Sequence, residues 1–376
     1  MASTCGTATP ARRAHRRGTG RARVQRRRRR RTGPSRCHDC GDAAGEGGDV
    51  SRAVPQRTLA GTDLAVGRIV LGTMTFGTQV GEAEATAMVR TCREAGITMF
   101  DTSNNYGAGA AEQMLGRIVR PFRDEVVLAT KFGSPVDQSD PEATGLSRRA
   151  VRRAVDDSLR RLGVDHIDVY YMHRPDRDTP VEETLEALDE VVRQGKVRYL
   201  GQSNFAAWQI TEMLHLARAH GWAEPLVSQP LYNLLGRRVE AEYAACSAHL
   251  GLTNITYNPL AGGLLTGKHR RDGRPQAGTR FTKEIYRDRY WNDDQFDAVE
   301  RLGEVASAAG LTLVELAFRW VLGRPLTDCM LLGASGIDQL RKNLDAVTGP
   351  GLEPDVLAAC DDVWRGLEGA APHYNR

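Results

Sequence analysis

Residues 99–116 read MFDTSNNYGAGAAEQMLG, a short apolar run followed by a glycine-rich turn and a helical pattern. Such a turn can begin a dinucleotide-binding loop, in which three spaced glycines follow a strand and open a helix. Glu112 stands where the third glycine of that fingerprint belongs. Two interpretations remain at this point: a phosphate loop in a doubly wound sheet, or a plain connection between a strand and a helix.

The segments on either side repeat the same strand-then-helix unit, and the number of repeats favours the second interpretation. Short β-branched runs alternate with amphipathic helical patterns along the chain. The predicted strands are 68–74, 98–102, 125–132, 167–173, 197–204, 226–233, 254–260 and 328–335. Strict alternation predicts a parallel sheet, and eight units predict its closure into a (β/α)8 TIM barrel. An open doubly wound sheet is the rival, although it rarely runs through eight units without a break.

Two helical patterns, 312–323 and 353–367, fall outside the eight units, and we expect both to pack on the outside of the barrel. A hairpin around 57–67 could close the barrel bottom. We therefore place the barrel domain at 56–376 and a disordered, arginine-rich extension at 1–55.

Charge is distributed unevenly along the chain. Residues 1–49 hold 13 Arg and four acidic residues, whereas residues 50–376 hold 38 basic and 43 acidic residues. The first segment lacks apolar periodicity, so disorder is expected. It is either an arm that binds nucleic acid through phosphates or upstream sequence behind a mis-assigned start, with the true start near Val50. We favour the second interpretation, because Arg outnumbers Lys throughout the chain, and we expect no specific nucleic-acid partner.

Composition excludes several classes of protein. No window approaches 18 consecutive apolar residues, and no apolar run follows the basic N-terminus, so we expect neither a membrane span nor secretion. Seven scattered Cys are typical of reduced thiols, and a cytoplasmic protein is expected. The motif CHDC at 37–40 has the spacing of half a zinc site but has no second half, so no metal is predicted.

Ionisable side chains end three successive predicted strands: Asp101, Lys131 and His173, with Tyr106 in the loop after the first. Barrel enzymes carry their chemistry at this end of the strands. Each residue alone has a plain structural explanation, as a turn cap, a solvated strand end, a core histidine or a loop aromatic. Together they form a proton-donating group: we predict that a Lys131–Asp101 pair lowers the pKa of Tyr106, and that His173 binds a carbonyl oxygen.

Seven ordered motifs between residues 57 and 347 resemble the aldo-keto reductase family: LGTMTFG, FDTSNNYGAGAAEQMLG, LATKFG, YYMHRPD, GKVRYLGQSNF, YNPLAGGLLTGK and LLGASGIDQLRKNL. The resemblance implies a catalytic tetrad of Asp101, Tyr106, Lys131 and His173. It also implies that the protein reduces an aldehyde or ketone with hydride from a nicotinamide cofactor.

The resemblance further implies a cofactor site that binds NADPH or its oxidised form, NADP+. The implied nicotinamide contacts are Ser203, Asn204, Gln229 and Tyr257. The implied pyrophosphate-binding segment is 258–268, with Asn258, Pro259, Leu260, Gly262 and Lys268, and Arg280 follows it. The implied adenosine contacts are Gly333, Ser335, Gln339 and Asn343. A helix N-terminus after the eighth strand would attract phosphate independently of the resemblance. Arg280, Arg341 and Lys342 favour NADPH over NADH.

The C-terminal third most resembles the aflatoxin aldehyde and succinic semialdehyde reductases, through YRDRYW at 286–291 and the ending APHYNR. This resemblance implies substrate contacts from Tyr286, Arg289 and Arg376. Two guanidinium groups can clamp a carboxylate, so a small aldehyde with a distal acidic group is expected. The alternative is that Arg287 and Arg289 are surface charges of a flexible loop.

Two other functions stay open at this point. One is a ketoreductase of a nucleotide sugar or a secondary-metabolite intermediate. The other is a redox-sensing module that binds NADPH without significant turnover, as in the potassium-channel β subunits that resemble reductases. The sequence also leaves the oligomeric state open, with a homodimer as one candidate.

Overall fold

The computed structural model describes residues 56–136, 144–275 and 277–370. It begins with an antiparallel hairpin of two strands, β1 (Gln56–Thr58) and β2 (Ala65–Gly67). Eight parallel strands then close into a barrel, with the last strand beside the first. They are β3 Ile69–Gly72, β4 Met99–Asp101, β5 Val127–Phe132, β6 Ile167–Met172, β7 Val197–Ser203, β8 Val227–Gln229, β9 Thr253–Thr256 and β10 Cys329–Leu332. The predicted (β/α)8 TIM barrel is confirmed.

The hairpin contributes apolar side chains to one end of the barrel interior. Leu59 and Val66 are fully buried and cluster with Met99, Val169 and other inward-facing strand residues. Because Met99 begins its strand, this apolar plug lies toward the N-terminal ends of the strands. The polar site is left to their C-terminal ends, as is usual in this fold.

Helices surround the barrel. Within the described residues they are α1 Glu82–Glu94, α2 Ala110–Val119, α3 Arg148–Leu162, α4 Val181–Arg193, α5 Ala207–His220, α6 Tyr243–Leu250, α7 Glu284–Tyr290, α8 Asp293–Ala308, α9 Leu313–Gly323, α10 Ile337–Val347 and α11 Pro354–Glu368. Helix α7 lies in a stretch that the sequence pattern assigned to a long loop. Its seven residues are too few to display a helical period.

The helix expected at 312–323 packs on the outside of the barrel. Helix α9 packs against α10 and β10, whereas α8 packs against the C-terminal helix α11. The reason is the distribution of apolar residues: α9 buries Leu316, Ala317, Phe318, Trp320 and Val321. Helix α8 has polar residues on one side and therefore tolerates an outer position. The helices additional to the eight strand–helix units are thus α8 and α11.

Residues 99–116 form one ordinary barrel unit. Strand β4 leads through a short 3-10 turn to α2, with left-handed backbone at Gly107, Ala108 and Gly109. A side chain at Gly109 would lie 2.7 Å from the Cδ atom of Arg161, so glycine is required there for close packing. These glycines connect a strand to a helix, as the strand count predicted.

Within the described ranges, no single helix is long and apolar enough to cross a membrane, although the bent pair α8 and α9 together has the length and composition to do so. No group of three or more His, Cys, Asp or Glu side chains in these ranges could hold a metal ion. The predicted extension at 1–55, the CHDC motif and Arg376 lie outside the described residues.

Candidate active site

The deepest part of the site is an ion pair between two neighbouring strands. Asp101 ends β4 and Lys131 lies near the end of β5, and both side chains are almost completely buried. The Lys131 ammonium donates hydrogen bonds to Asp101 Oδ1 and, at 2.8 Å, to the carbonyl oxygen of Thr102. Gln229 Nε2, from the end of β8, donates to Asp101 Oδ2 at 3.0 Å. Both carboxylate oxygens of Asp101 are therefore held.

Burial and pairing act in opposite directions on these two groups. Burial raises the pKa of Asp101 and lowers the pKa of Lys131, because both charged forms lose hydration. Their mutual attraction opposes both shifts. A pair of this kind tolerates the loss of either partner poorly, because the remaining charge would be buried alone.

Tyr106 lies above this pair, in the turn that follows β4. The Lys131 Nζ atom is 5.3 Å from the centre of the Tyr106 ring. The pKa of Tyr106 is raised, first by burial and then by the negative charge of Asp101 and by Tyr286, and Arg280 acts against this shift. The prediction that the Lys131–Asp101 pair lowers this pKa is therefore wrong, because burial and the negative charge of Asp101 both disfavour a phenolate. Tyr106 holds its proton.

His173 follows β6 and faces Tyr106 edge to face, with ring centres 6.1 Å apart. Burial, the charge of Lys131 and the charge of Arg174 lower the pKa of His173 to about 3, so the imidazole is neutral. Its Nδ1 atom lies 3.1 Å from the Ser103 hydroxyl, which is also 2.8 Å from Asn105 Oδ1. This contact holds the imidazole ring in place through its Nδ1 atom.

Three of the predicted nicotinamide contacts lie beside this tetrad and contact one another. Ser203 Oγ donates to the carbonyl oxygen of Gln229 at 2.8 Å, and Asn204 Nδ2 is 3.0 Å from Ser203 Oγ. The Tyr257 hydroxyl donates to Asn204 Oδ1 at 2.7 Å. Gln229 is the exception among these predictions, because its side-chain nitrogen is engaged with Asp101.

The predicted pyrophosphate segment, 258–268, includes Pro259 and Leu260 and follows β9. We call these residues the strap. Asn258 and Gly262 have left-handed backbone, and Asn258 Oδ1 accepts a 2.6 Å hydrogen bond from the Gly262 amide. Lys268, at its end, is exposed. Arg280 follows the strap in the chain. Its Nη2 atom lies 3.5 Å from the position that a Cβ atom on Gly333 would occupy. Two separately predicted cofactor segments thus converge at Arg280.

The start of α10, predicted to bind the adenosine end, already has internal partners. Ser335 donates through its amide and its hydroxyl to Gln339 Oε1, at 2.8 and 2.7 Å. Asn343 Nδ2 donates to the carbonyl oxygen of Gly333 at 3.3 Å. The Ile337 amide donates to Glu84 Oε1 at 2.9 Å, so a carboxylate from α1 caps this helix N-terminus. An incoming phosphate would meet that carboxylate.

Helix α7 carries the predicted substrate residues. Arg280 Nη1 is 3.5 Å from the Tyr286 hydroxyl, and Tyr286 is close enough to Tyr106 to influence its pKa. Arg289 lies near Tyr257, and its positive charge opposes the rise in the pKa of that hydroxyl caused by burial. Arg287 instead donates to two loop carbonyl oxygens, those of Phe281 and Thr282. The two arginines, which the sequence could not separate, therefore have different surroundings.

These residues fit a nicotinamide dinucleotide on structural grounds. Ser203, Asn204 and Tyr257 offer amide and hydroxyl groups beside the tetrad, and the Arg280 guanidinium lies beside Gly333. A (β/α)8 barrel with acid–base groups gathered at its carboxyl-terminal mouth has the architecture of an enzyme. The class defined here is a barrel oxidoreductase.

The chain belongs to the aldo/keto reductase family, whose profile matches residues 68–365. It is 35% identical over 346 residues to aflatoxin B1 aldehyde reductase member 2 of Mus musculus, covering 87% of this chain and 92% of the mouse protein. It is 36% identical over 318 residues to a probable voltage-gated potassium channel subunit beta of Oryza sativa, covering 82% of this chain and 95% of the rice protein. The suspected family and subfamily are confirmed, and the protein is an NAD(P)H-dependent oxidoreductase of carbonyl compounds.

Sequence reasoning missed three residues that contact the predicted site. Ser103 contacts His173, Glu84 caps α10, and Tyr290 binds the strap through Asn258. None stands at the end of a predicted strand. Their partners are 70, 253 and 32 positions away in the chain, and no local pattern indicates such pairs.

Proposed function

We propose that the protein reduces an aldehyde or ketone to an alcohol with NADPH, and that Tyr106 supplies the proton. The observation that carries this proposal is the buried Lys131–Asp101 pair beneath Tyr106, with Lys131 Nζ 5.3 Å from the Tyr106 ring centre. A neutral histidine completes the group on the other side of the tyrosine.

Each residue of the tetrad has a separate task in this proposal. His173, neutral at physiological pH, donates a hydrogen bond to the carbonyl oxygen and orients it. Tyr106 keeps its proton until negative charge develops on that oxygen and then transfers it. An alkoxide is a much stronger base than a phenolate, so the raised pKa of Tyr106 does not prevent the transfer. Lys131 and Arg280 then stabilise the phenolate, which regains a proton from water.

The cofactor supplies hydride to the carbonyl carbon. Ser203, Asn204 and Tyr257 would hold the nicotinamide end, the strap and Arg280 the pyrophosphate, and Ser335, Gln339 and Asn343 the adenosine end. Gln229 acts in this proposal by orienting Asp101. Arg280, with Arg341 and Lys342 of α10, supports a preference for NADPH through attraction to its additional phosphate.

For the substrate we propose a small aldehyde with a carboxylate, held by Arg289 and Arg376 with Tyr286 beside the reacting carbon. Arg289 supports this part because its guanidinium lies at Tyr257, next to the tetrad. Arg287 does not belong to the clamp, because it is bonded to loop carbonyl oxygens.

The test of the proposed function compares the wild type with Tyr106→Phe. Loss of the proton donor should lower kcat by about 10²- to 10⁴-fold, with the dissociation constant for NADPH unchanged. Oxidation of NADPH is followed by absorbance with a panel of aldehydes, and binding by fluorescence titration. The control is Tyr243→Phe, which removes a buried hydroxyl in α6.

A second candidate function is a binding module that senses the redox state of its cofactor. Its support is the 36% identity to the rice protein named as a channel subunit. Tight cofactor binding with negligible turnover of every aldehyde by the wild type would favour this function over the reductase.

A further inference from the structure

We propose that Tyr290 is a positioning residue: its hydroxyl ties helix α7, which faces the substrate, to the strap, which faces the cofactor. This inference rests on the proposed function for the roles of the two segments. The tie itself is a feature of the structure without any ligand.

The Tyr290 hydroxyl accepts two hydrogen bonds from buried asparagines. Asn233 Nδ2 and Asn258 Nδ2 each donate to it at 3.0 Å. Asn233, Asn258 and Tyr290 are each at most 6% exposed. A phenol oxygen has two acceptor positions, so this hydroxyl is saturated as an acceptor. Its pKa is raised to about 12, mainly by burial, so the group stays neutral.

The two asparagines extend the tie into the backbone on both sides. Asn258 Oδ1 holds the amide of Gly262 in the strap at 2.6 Å. Asn233 Nδ2 also donates to the Asn258 carbonyl oxygen at 3.0 Å, and Asn233 Oδ1 accepts from the Leu235 amide at 2.9 Å. One hydroxyl therefore joins α7, the strap and the loop after β8.

Helix α7 touches the strap at a second point on the same face. Tyr286 is four positions before Tyr290, one helical turn away. A side chain at Gly262 would lie 2.9 Å from Tyr286 Cδ1, so this glycine is in close contact with the helix. Arg289, next to Tyr290, reaches Tyr257, which directly precedes the strap. A shift of the strap must therefore move Tyr286 and Arg289 as well.

This connection predicts coupled binding. If the bound cofactor orders the strap, the hydrogen bonds of Tyr290 order α7 as well. The substrate then binds to a helix that is already in place. Coupling of this kind is reciprocal, so a substrate analogue must tighten cofactor binding by the same factor. Without the Tyr290 hydroxyl, two buried amide donors lose their acceptor and the two segments become independent.

The first experiment measures hydrogen exchange in the protein without ligand, comparing wild type, Tyr290→Phe and Tyr243→Phe. The control also loses a buried hydroxyl with two partners, Ser228 and Asn254, but it lies in α6. In Tyr290→Phe, exchange should rise in both 258–268 and 284–290, and in the control it should rise in neither. Unchanged exchange in either segment of Tyr290→Phe would overturn the tie, whatever the protein binds.

The second experiment uses benzene-1,4-dicarboxylate, an unreactive carboxylate probe, titrated with and without saturating NADP+. In the wild type and in Tyr243→Phe, saturating NADP+ should lower the dissociation constant of the probe about fivefold or more. In Tyr290→Phe that factor should fall close to one, with the affinity for NADP+ alone nearly unchanged. If NADP+ changed the dissociation constant of the probe by the same factor in the wild type and in Tyr290→Phe, the inference would be overturned. A wild type that binds no NADP+ would instead overturn the proposed function, and the exchange result would still decide the tie.

Discussion

The floor of the candidate site and its cover are built in different ways. The floor consists of Asp101, Lys131 and Gln229, which project from the ends of three barrel strands and are 3% exposed or less. The cover is one continuous connection, residues 257–291, that runs from β9 through the strap and α7 to α8. It contains partly exposed groups such as Tyr286 and exposed groups such as Arg289.

The difference separates chemistry from recognition. Asp101 is paired with a strand on both sides, and Lys131 and Gln229 are each paired with one neighbouring strand, so the backbone that carries these side chains has little freedom to move. The cover is held by a few side-chain contacts, such as those of Tyr290 and Arg287. Acid–base groups must be held within fractions of an ångström, and the rigid floor suits them. Binding loops vary more readily on a fixed scaffold, and the cover suits substrate selection.

The largest effect is expected in the floor. Lys131→Met should lower kcat by about 10³-fold or more, because Asp101 becomes a buried carboxylate without a counter-ion, and should destabilise the fold by about 3–5 kcal/mol. Aldehyde turnover and urea unfolding measure the two effects. Lys196→Met, which breaks the exposed pair with Asp156, is the matched control and should change both little. Retention of near wild-type turnover by Lys131→Met would contradict a catalytic floor.

The next effect lies in the cover. Arg289→Ala should raise the KM for 4-carboxybenzaldehyde about tenfold or more, through loss of a charge-assisted hydrogen bond, and should leave kcat close to its original value. The methyl ester of the same aldehyde, which has no charge, should be affected little. Steady-state kinetics with both substrates measure the difference. An equal rise in both KM values would show that Arg289 shapes the loop rather than clamps a carboxylate.

A smaller effect is expected at the adenosine end. Glu84→Gln should lower the KM for NADPH about threefold relative to that for NADH, because removing one partly exposed charge changes binding by about 1 kcal/mol. The glutamine keeps an oxygen that can accept from the Ile337 amide. Initial rates with the two cofactors give the ratio. An unchanged ratio would mean that the additional phosphate does not approach the start of α10, and equal or better rates with NADH in the wild type would contradict the NADPH preference itself.

The smallest effect concerns pH. The folded pKa of His173 is about 3, below the value of about 6.5 for an unfolded histidine. Between these values the unfolded chain binds more protons, so this residue makes the free energy of unfolding decrease as the pH falls below 6.5. His173→Gln should weaken that dependence, as measured by urea unfolding at pH 7 and 5. The His173 NMR signals should not titrate between pH 5 and 8, and a titration in that range would contradict a neutral, buried imidazole.

Two of the three floor residues, and the neighbouring His173, could be predicted from residue order alone. Asp101, Lys131 and His173 each follow a recognisable strand, and parallel strands bring their C-terminal ends to one face of the barrel. The pKa of Tyr106 could not be predicted in this way. Its direction depends on how completely Asp101 neutralises Lys131 and how deeply the hydroxyl is buried, and both depend on distances in the folded chain.

The cover and the outer helices were less predictable for a related reason. The pattern of apolar residues predicts the helix at 312–323 but does not tell whether α8 or α9 packs directly on the barrel strands. Choosing between them requires knowing which surfaces of α10 and α11 remain to be covered. Tyr290 has no distinguishing pattern of its own, and its two asparagine partners lie in separate loops.

The sequence by itself determined the barrel and the membership of the family. Alternating periodicity and ordered motifs are properties of residue order, and they can be recognised without a structure. It also determined which ionisable residues stand at strand ends. Only the tertiary structure decided that Gln229 binds Asp101, that Glu84 occupies the start of α10 and that Tyr290 joins α7 to the strap. These contacts join residues distant in the chain, and their hydrogen bonds depend on atomic separations that only the packed fold defines.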